Sequence, residues 1–227
     1  VIVGIIMAAG LGTRVGTSIP KQFVKLCNKE VFLYSLESFE MCDAIDACLI
    51  LVPQGWKEHV EQATSEYSKV QWILEGGRTR HDSSLIALEF LKDFKVQIVV
   101  FHDASRPFLQ VSLLSRVANE AKVSGAVTTA VPSHDTLAFV EKGKIAGYAE
   151  REKLWRIQTP QAFKFERAFR YFKEFSGTDG TQPFVEAGQS VVKIDGDPLC
   201  FKITDFSDLM IANLICSHWD AVLGFIS

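Results

Sequence analysis

Val1-Ile2-Val3-Gly4-Ile5-Ile6-Met7, continuing into Ala8-Ala9-Gly10-Leu11-Gly12-Thr13-Arg14 and then Pro20-Lys21-Gln22, is the stretch around which the chain is organised. The unbroken apolar run reads as a buried strand, and a helical pattern begins at about Val31. A strand that ends in small residues and then turns sharply can present backbone N–H groups to a phosphate. Gly10 and Gly12 let the main chain approach it with no Cβ in the way. Arg14 adds a guanidinium fork and Lys21 a mobile point charge. The stretch reads as a cradle for a nucleoside triphosphate.

Two other phosphate loops do not fit. The dinucleotide fingerprint needs a glycine where Val15 stands, and an acidic residue after the second strand, which ends in Val52-Pro53-Gln54. The P-loop needs Ser or Thr after its Gly-Lys, but Gly143-Lys144 is followed by Ile145.

Outward from this loop, Ala47 to Val52 and Gln97 to Phe101 are continuous apolar runs, as in strands buried on both faces. Weaker strands cover Val70 to Leu74 and Ala126 to Val131. Between them, Phe32, Leu36 and Phe39 share a helical face, as do Leu85, Leu88 and Leu91. This order predicts an α/β fold: a mostly parallel, Rossmann-like sheet with helices on both faces, forming a single domain over 1–227. Leu209, Ala212, Cys216, Trp219 and Leu223 predict a final amphipathic helix, with Asp205 and Asp208 as its N-terminal cap pair. From His134 to Arg151 the pattern turns polar and strand-like around Lys142-Gly143-Lys144, predicting a hairpin arm at about 134–152.

Composition limits the partners. Hydrophobic residues make up 48% and charged residues 22%, which suits a globular protein. With a net charge of −3 and dispersed basic residues, no nucleic-acid footprint is expected. No apolar run reaches the length of a membrane span. The five cysteines include no C-x-x-C pair, and no signal peptide is read. These features predict reduced thiols in the cytoplasm.

Ligands of open α/β sheets bind beyond the carboxyl ends of the strands. Three further stretches are read as leaving such ends: Gly76-Gly77-Arg78-Thr79-Arg80-His81-Asp82-Ser83, His102-Asp103-Ala104-Ser105-Arg106-Pro107 and Thr159-Pro160-Gln161. Gly77 is placed against a base, with Arg80 and Ser83 at a helix start. Asp103 suits Mg²⁺, a hard ion that takes few protein oxygens and otherwise binds phosphates and water. Arg106 suits an anionic substrate, and His102 reads as a core residue rather than a base. Lys202, inside Cys200-Phe201-Lys202-Ile203-Thr204, is costly in an apolar run unless it has a task. No Ser-His-Asp order, H-E-x-x-H motif or zinc-ligand cluster is present.

Taken together, Ala8-Ala9-Gly10-x-Gly12-x-Arg14, Pro20-Lys21-Gln22, Glu75-Gly76-Gly77, Ser83, His102-Asp103-Ala104-x-Arg106-Pro107, Asp135-Thr136, Thr159-Pro160-Gln161 and Lys202-Ile203-Thr204 resemble the 2-C-methyl-D-erythritol 4-phosphate cytidylyltransferases of non-mevalonate isoprenoid biosynthesis. The resemblance runs nearly end to end. It implies transfer of CMP from CTP to a polyol phosphate with Mg²⁺ and release of pyrophosphate. By position it implies Arg14, Lys21 and Lys202 as catalytic residues, and Ala8, Ala9, Gly10, Gly12, Gly77, Arg80 and Ser83 at the nucleotide. Asp103, Ala104, Arg106, Thr136, Arg151 and Thr159 would serve the substrate, with Asp103 also at the metal. Thr136 and Arg151 match residues that reach a neighbouring subunit's site, so a homodimer through the arm is implied. The chain departs from the family pattern at Val15, where methionine is common, and at Arg78, where an acid often follows the glycine. It departs again at Leu199-Cys200, where many members carry Asp-Asn. Ribitol 5-phosphate cytidylyltransferases share most of these motifs, which leaves that acceptor as an alternative. A non-catalytic nucleotide-binding regulator is the other, although it has less need of Arg14, Lys21, Asp103 and Lys202 together.

Overall fold

The computed structural model describes residues 1–10 and 19–218. In chain order the strands are β1 (Ile2–Met7), β2 (Lys25–Leu26), β3 (Lys29–Glu30), β4 (Ala47–Val52), β5 (Val70–Glu75), β6 (Ile98–Asp103), β7 (Ala126–Pro132), β8 (Ala138–Glu141), β9 (Lys144–Tyr148), β10 (Trp155–Lys164) and β11 (Val192–Asp195). The helices are α1 (Val31–Met41), α2 (Lys57–Ala63), α3 (Arg80–Leu91), α4 (Val111–Ser124), α5 (Phe165–Glu174), α6 (Gln182–Glu186) and α7 (Phe206–Ser217). Among the described residues one sheet runs β11-β7-β10-β6-β1-β4-β5. Its neighbours are parallel except β10, which lies antiparallel between β6 and β7.

Alternation along β1 shows why two helical layers form. Ile2 and Ile6 join Phe32, Leu36 and Phe39 of α1 and Leu114 and Val117 of α4 in one buried cluster. Val3 and Ile5 join Leu88 and Leu91 of α3 and Phe172 of α5 on the opposite face. Gly4 is required here: a Cβ would lie 2.4 Å from the Phe39 ring, so α1 packs directly on the strand backbone. A third cluster ties Leu209 and Ala212 of α7 to Leu26, Phe108 and Ile203.

Two expectations need correction. Thr159-Pro160-Gln161 does not leave a strand end; it sits inside β10, at a register shift between Gln158 and Gln161. Proline has no N–H for the ladder, so the strand accommodates it at an irregularity. The arm is a hairpin as expected, with Lys142 (φ 48°) and Gly143 (φ 76°) forming its two-residue turn. It is not simply polar, however. Leu137, Phe139, Val140, Ile145 and Tyr148 all stand exposed, because no layer among the described residues covers either face. Asp205 and Asp208 form the expected reciprocal cap of α7, whereas Trp219 and Leu223 lie outside the described residues.

Candidate active site

After β1 the chain adds β4 and β5 on one flank, then crosses back to place β6 on the other. This reversal opens a crevice at the carboxyl ends of β1 and β6, where Met7 lies opposite Asp103. A cleft of about 530 Å³ occupies it. Ala9 and Gly10 border it from β1, Gln54 from β4, Gly76 to Arg80 and Ser83 from the turn into α3, and Asp103 and Ser105 from β6. Lys21, Gln22, Lys202 and Thr204 complete the wall. Thr79 caps α3 in a reciprocal box with Asp82. The Ser83 hydroxyl accepts the Gly77 N–H at 3.1 Å, fixing the turn before that helix. Gly77 must be glycine, since a Cβ would fall 2.4 Å from Asp82 Cβ.

Asp103 is the electrostatic centre. Lys202 Nζ donates to its Oδ2 at 2.8 Å, Arg80 Nε to its Oδ1 at 3.3 Å, and Arg106 Nε stands 3.7 Å from Oδ2. Burial by itself would raise this carboxyl's pKa, but Arg80, Lys202 and Arg106 together hold it far below the usual carboxylate range. Lys21 Nζ donates to the Ile203 carbonyl at 2.6 Å, which ties it to the segment that carries Lys202.

A directed chain of hydrogen bonds fixes the Asp103 backbone from behind. Its N–H donates to Thr159 Oγ1 at 3.1 Å. The Thr159 hydroxyl lies 3.1 Å from His102 Nδ1, and His102 Nε2 lies 3.1 Å from the Arg106 carbonyl. A neutral imidazole satisfies both ends, accepting at Nδ1 and donating at Nε2. Burial lowers the His102 pKa to about 4. Below its ordinary value the unfolded chain takes up a proton that the native chain refuses, so stability falls as the pH drops towards about 4. Between about pH 7 and about pH 5, urea denaturation should show roughly 2 kcal/mol less acid loss in His102→Gln than in the parent. Equal losses would mean that the imidazole is not held neutral.

The residues expected from sequence divide into four groups. Ala9, Gly10, Lys21, Gly77, Arg80, Ser83, Asp103 and Lys202 meet at the cleft. Ala8, Ala104, Arg106 and Thr159 are buried beside or behind it. Arg106 Nη1 donates to the Cys200 carbonyl at 2.9 Å, and Thr159 serves the Asp103–His102 chain, so both support the wall from within. Arg80 faces the Asp103 carboxylate in addition to bordering the cleft. Thr136 and Arg151 are exposed on and beside the arm, away from this chain's cleft lining. Gly12 and Arg14 lie outside the described residues. Sequence reading passed over Gln54, Ser105 and Thr204; their places just after β4, after β6 and beside Lys202 were the available signal.

The donors present suit a divalent cation only in company with a triphosphate. Among the described residues Asp103 is the one carboxylate bordering the cleft, and no group of three or more His, Cys, Asp or Glu could hold a metal unaided. Magnesium commonly takes one or two carboxylates and fills its remaining positions with phosphates and water. Arg80 and Lys202 already face both Asp103 oxygens, so phosphate charge must enter with the ion.

A mostly parallel sheet whose switch point carries Asp103 paired with Lys202, with Lys21 tied to the neighbouring Ile203, has the fold and site of an α/β nucleotidyltransferase. Within that class residues 2–218 match the 2-C-methyl-D-erythritol 4-phosphate cytidylyltransferase (IspD) family, and the chain belongs to it. It is 37% identical over 221 residues to the enzyme of that name from Thermotoga neapolitana, covering 97% of this chain and 99% of the relative. It is 38% identical over 214 residues to the one from Caldicellulosiruptor bescii, covering 93% and 95%. The 4-diphosphocytidyl-2C-methyl-D-erythritol synthase of Anaerococcus prevotii superposes with a TM-score of 0.84 at 25% identity, over 95% of this chain and 96% of that one. The Thermus thermophilus cytidylyltransferase gives 0.78 at 27% identity, over 96% and 100%.

Proposed function

We propose that this chain transfers CMP from CTP to 2-C-methyl-D-erythritol 4-phosphate, giving 4-diphosphocytidyl-2-C-methyl-D-erythritol and pyrophosphate. The observation that carries the reading is that Lys202, paired with Asp103, and Lys21, bonded to the adjoining Ile203 carbonyl, reach one cleft from distant parts of the chain. An oxygen of the acceptor phosphate bonds to the α-phosphorus as the bond to the pyrophosphate oxygen breaks. The nucleophile is already an anion, so no general base is needed, in agreement with the buried, neutral His102. The work left to the protein is alignment and stabilisation of charge. The N–H groups near Ala9 and Gly10, with Lys21 and Arg14, receive the triphosphate. Gly77 and Ser83 border the base, and Lys202 and Asp103 face the acceptor. Mg²⁺, held through Asp103 and the phosphates, supplies further neutralisation of the triphosphate. The five free cysteines and the absence of any described helix long and apolar enough to cross a membrane accord with work in the cytoplasm. Pyrophosphate release from CTP and Mg²⁺ should require 2-C-methyl-D-erythritol 4-phosphate and be much slower with ribitol 5-phosphate. The reverse preference would overturn the acceptor.

The exposed apolar residues of β8 and β9 favour a homodimer in which each arm covers its partner, carrying Thr136 and Arg151 into the partner's site. A guanidinium on a phosphate makes charge-assisted bonds of about 1.5–3 kcal/mol. Lys21→Ala and Arg151→Ala homodimers should then both be severely impaired, while mixed dimers recover one intact site and part of the activity. No recovery after confirmed subunit exchange, or a fully active monomer in sedimentation, would refute the shared site.

A further inference from the structure

Gln22 lies next to Lys21 in the short 3-10 turn Lys21–Phe23 and is only 2% exposed. Its side-chain nitrogen donates to the carbonyl of Ala8 and, at 2.8 Å, to that of Gly10. Both N–H bonds of one amide therefore hold two carbonyls of the glycine-rich loop. A carboxamide does this without charge, whereas lysine or arginine would set a fixed cation under the loop.

The peptide unit is planar and trans, so its N–H points opposite to its carbonyl. With the Ala8 carbonyl drawn to Gln22, the Ala9 N–H turns to the opposite side of the loop. The backbone N–H groups of Ala9 and Gly10 have no hydrogen-bond partner among the described residues. A Cβ on Gly10 would meet nothing within 4 Å among the described residues, so their packing does not require glycine there. A bare backbone bordering an open cleft is what an anion needs.

We propose that Gln22 is a positioning residue for the triphosphate. It holds the carbonyls of Ala8 and Gly10 back, so that the loop meets phosphate with N–H groups rather than with oxygen lone pairs. Because Gln22 and Lys21 are adjacent, one turn delivers both the Lys21 charge and the restraint on the loop. The proposal rests on the cytidylyltransferase reading but concerns a residue that need not touch either substrate.

Gln22→Glu keeps the size and shape while replacing the two donors with lone pairs, and Gln22→Met removes the donors without adding charge. In folded variants with parental thermal midpoints, kcat/KM for CTP should fall about 10²-fold. Most of the loss should appear in the KM for CTP, with the KM for 2-C-methyl-D-erythritol 4-phosphate within about twofold of the parent. Parental constants for CTP, or equal increases in both KM values, would overturn the proposal. Should neither variant fold, the unsubstituted enzyme decides. On titration with inorganic tripolyphosphate, the Ala9 and Gly10 amide resonances should move downfield while the Gln22 side-chain amide stays protected from exchange. Unmoved Ala9 and Gly10 amides, or a freely exchanging Gln22 amide, would overturn it. Failure of the unsubstituted enzyme to turn over CTP would instead refute the functional reading, and the tripolyphosphate titration would still judge the clamp.

Discussion

Lys21→Ala is expected to lower kcat by about 10²–10³-fold while changing the KM for CTP far less. Negative charge on the oxygens around the α-phosphorus redistributes as one bond forms and the other breaks. A cation already anchored beside that centre stabilises the transition state without reorganising. The anchor is visible: Lys21 Nζ donates to the Ile203 carbonyl at 2.6 Å, and the Ile203 N–H donates to the Ser105 carbonyl at 2.8 Å. The lysine is thereby tied to the segment that follows β6. Steady-state rates over a range of CTP at saturating acceptor measure the effect. A variant with near-parental kcat would refute the assignment of Lys21 to the triphosphate. Arg14→Ala should behave in the same way.

Asp103→Asn should damage both stability and turnover. From sequence alone this substitution looks like the loss of a metal ligand in an intact fold. In the structure the carboxylate, 7% exposed, is the common counter-ion of Arg80, Arg106 and Lys202. Removing one side of such a buried arrangement leaves uncompensated cations and costs about 3–5 kcal/mol. For a chain of this size that lowers the thermal midpoint on the order of 10 °C. Adding Lys202→Met to Asp103→Asn removes one of the stranded cations, so the double variant should regain part of the stability and none of the activity. If Asp103→Asn melts with the parent, the carboxylate is not the keystone of this cluster. Retention of the parental response to Mg²⁺ would separate Asp103 from the metal.

Much of the fold was legible because a parallel sheet buried on both faces leaves continuous apolar runs. The expected bounds of β4 agree with the structure, and those of β5, β6 and β7 differ by at most two residues at an end. What escaped was non-local. β10 was hidden because Pro160 interrupts its ladder, and nothing local announces insertion between β6 and β7. The cleft-facing groups of the first loop, of α3 and of β6 could be placed because each follows a strand end or begins a helix. The pairing of Lys202 with Asp103 depends on how the chain returns after β10, which no local pattern encodes. For the same reason Arg106 and Thr159 read as substrate contacts, although their side chains are directed into the wall behind Asp103. The role of Gln22 was hidden too, since a buried amide and an exposed one look alike in a sequence.

The antiparallel insertion of β10 also governs the order in which the protein can be made. On the ribosome β6 and β7 emerge well before β10, and in the finished sheet they touch only through it. Until residues 155–164 arrive, β6 has one edge without a neighbour and β7 has no strand partner, since β11 follows later still. The segment bearing Lys202 follows later still, so a nascent chain can present the glycine-rich loop long before it can complete a site.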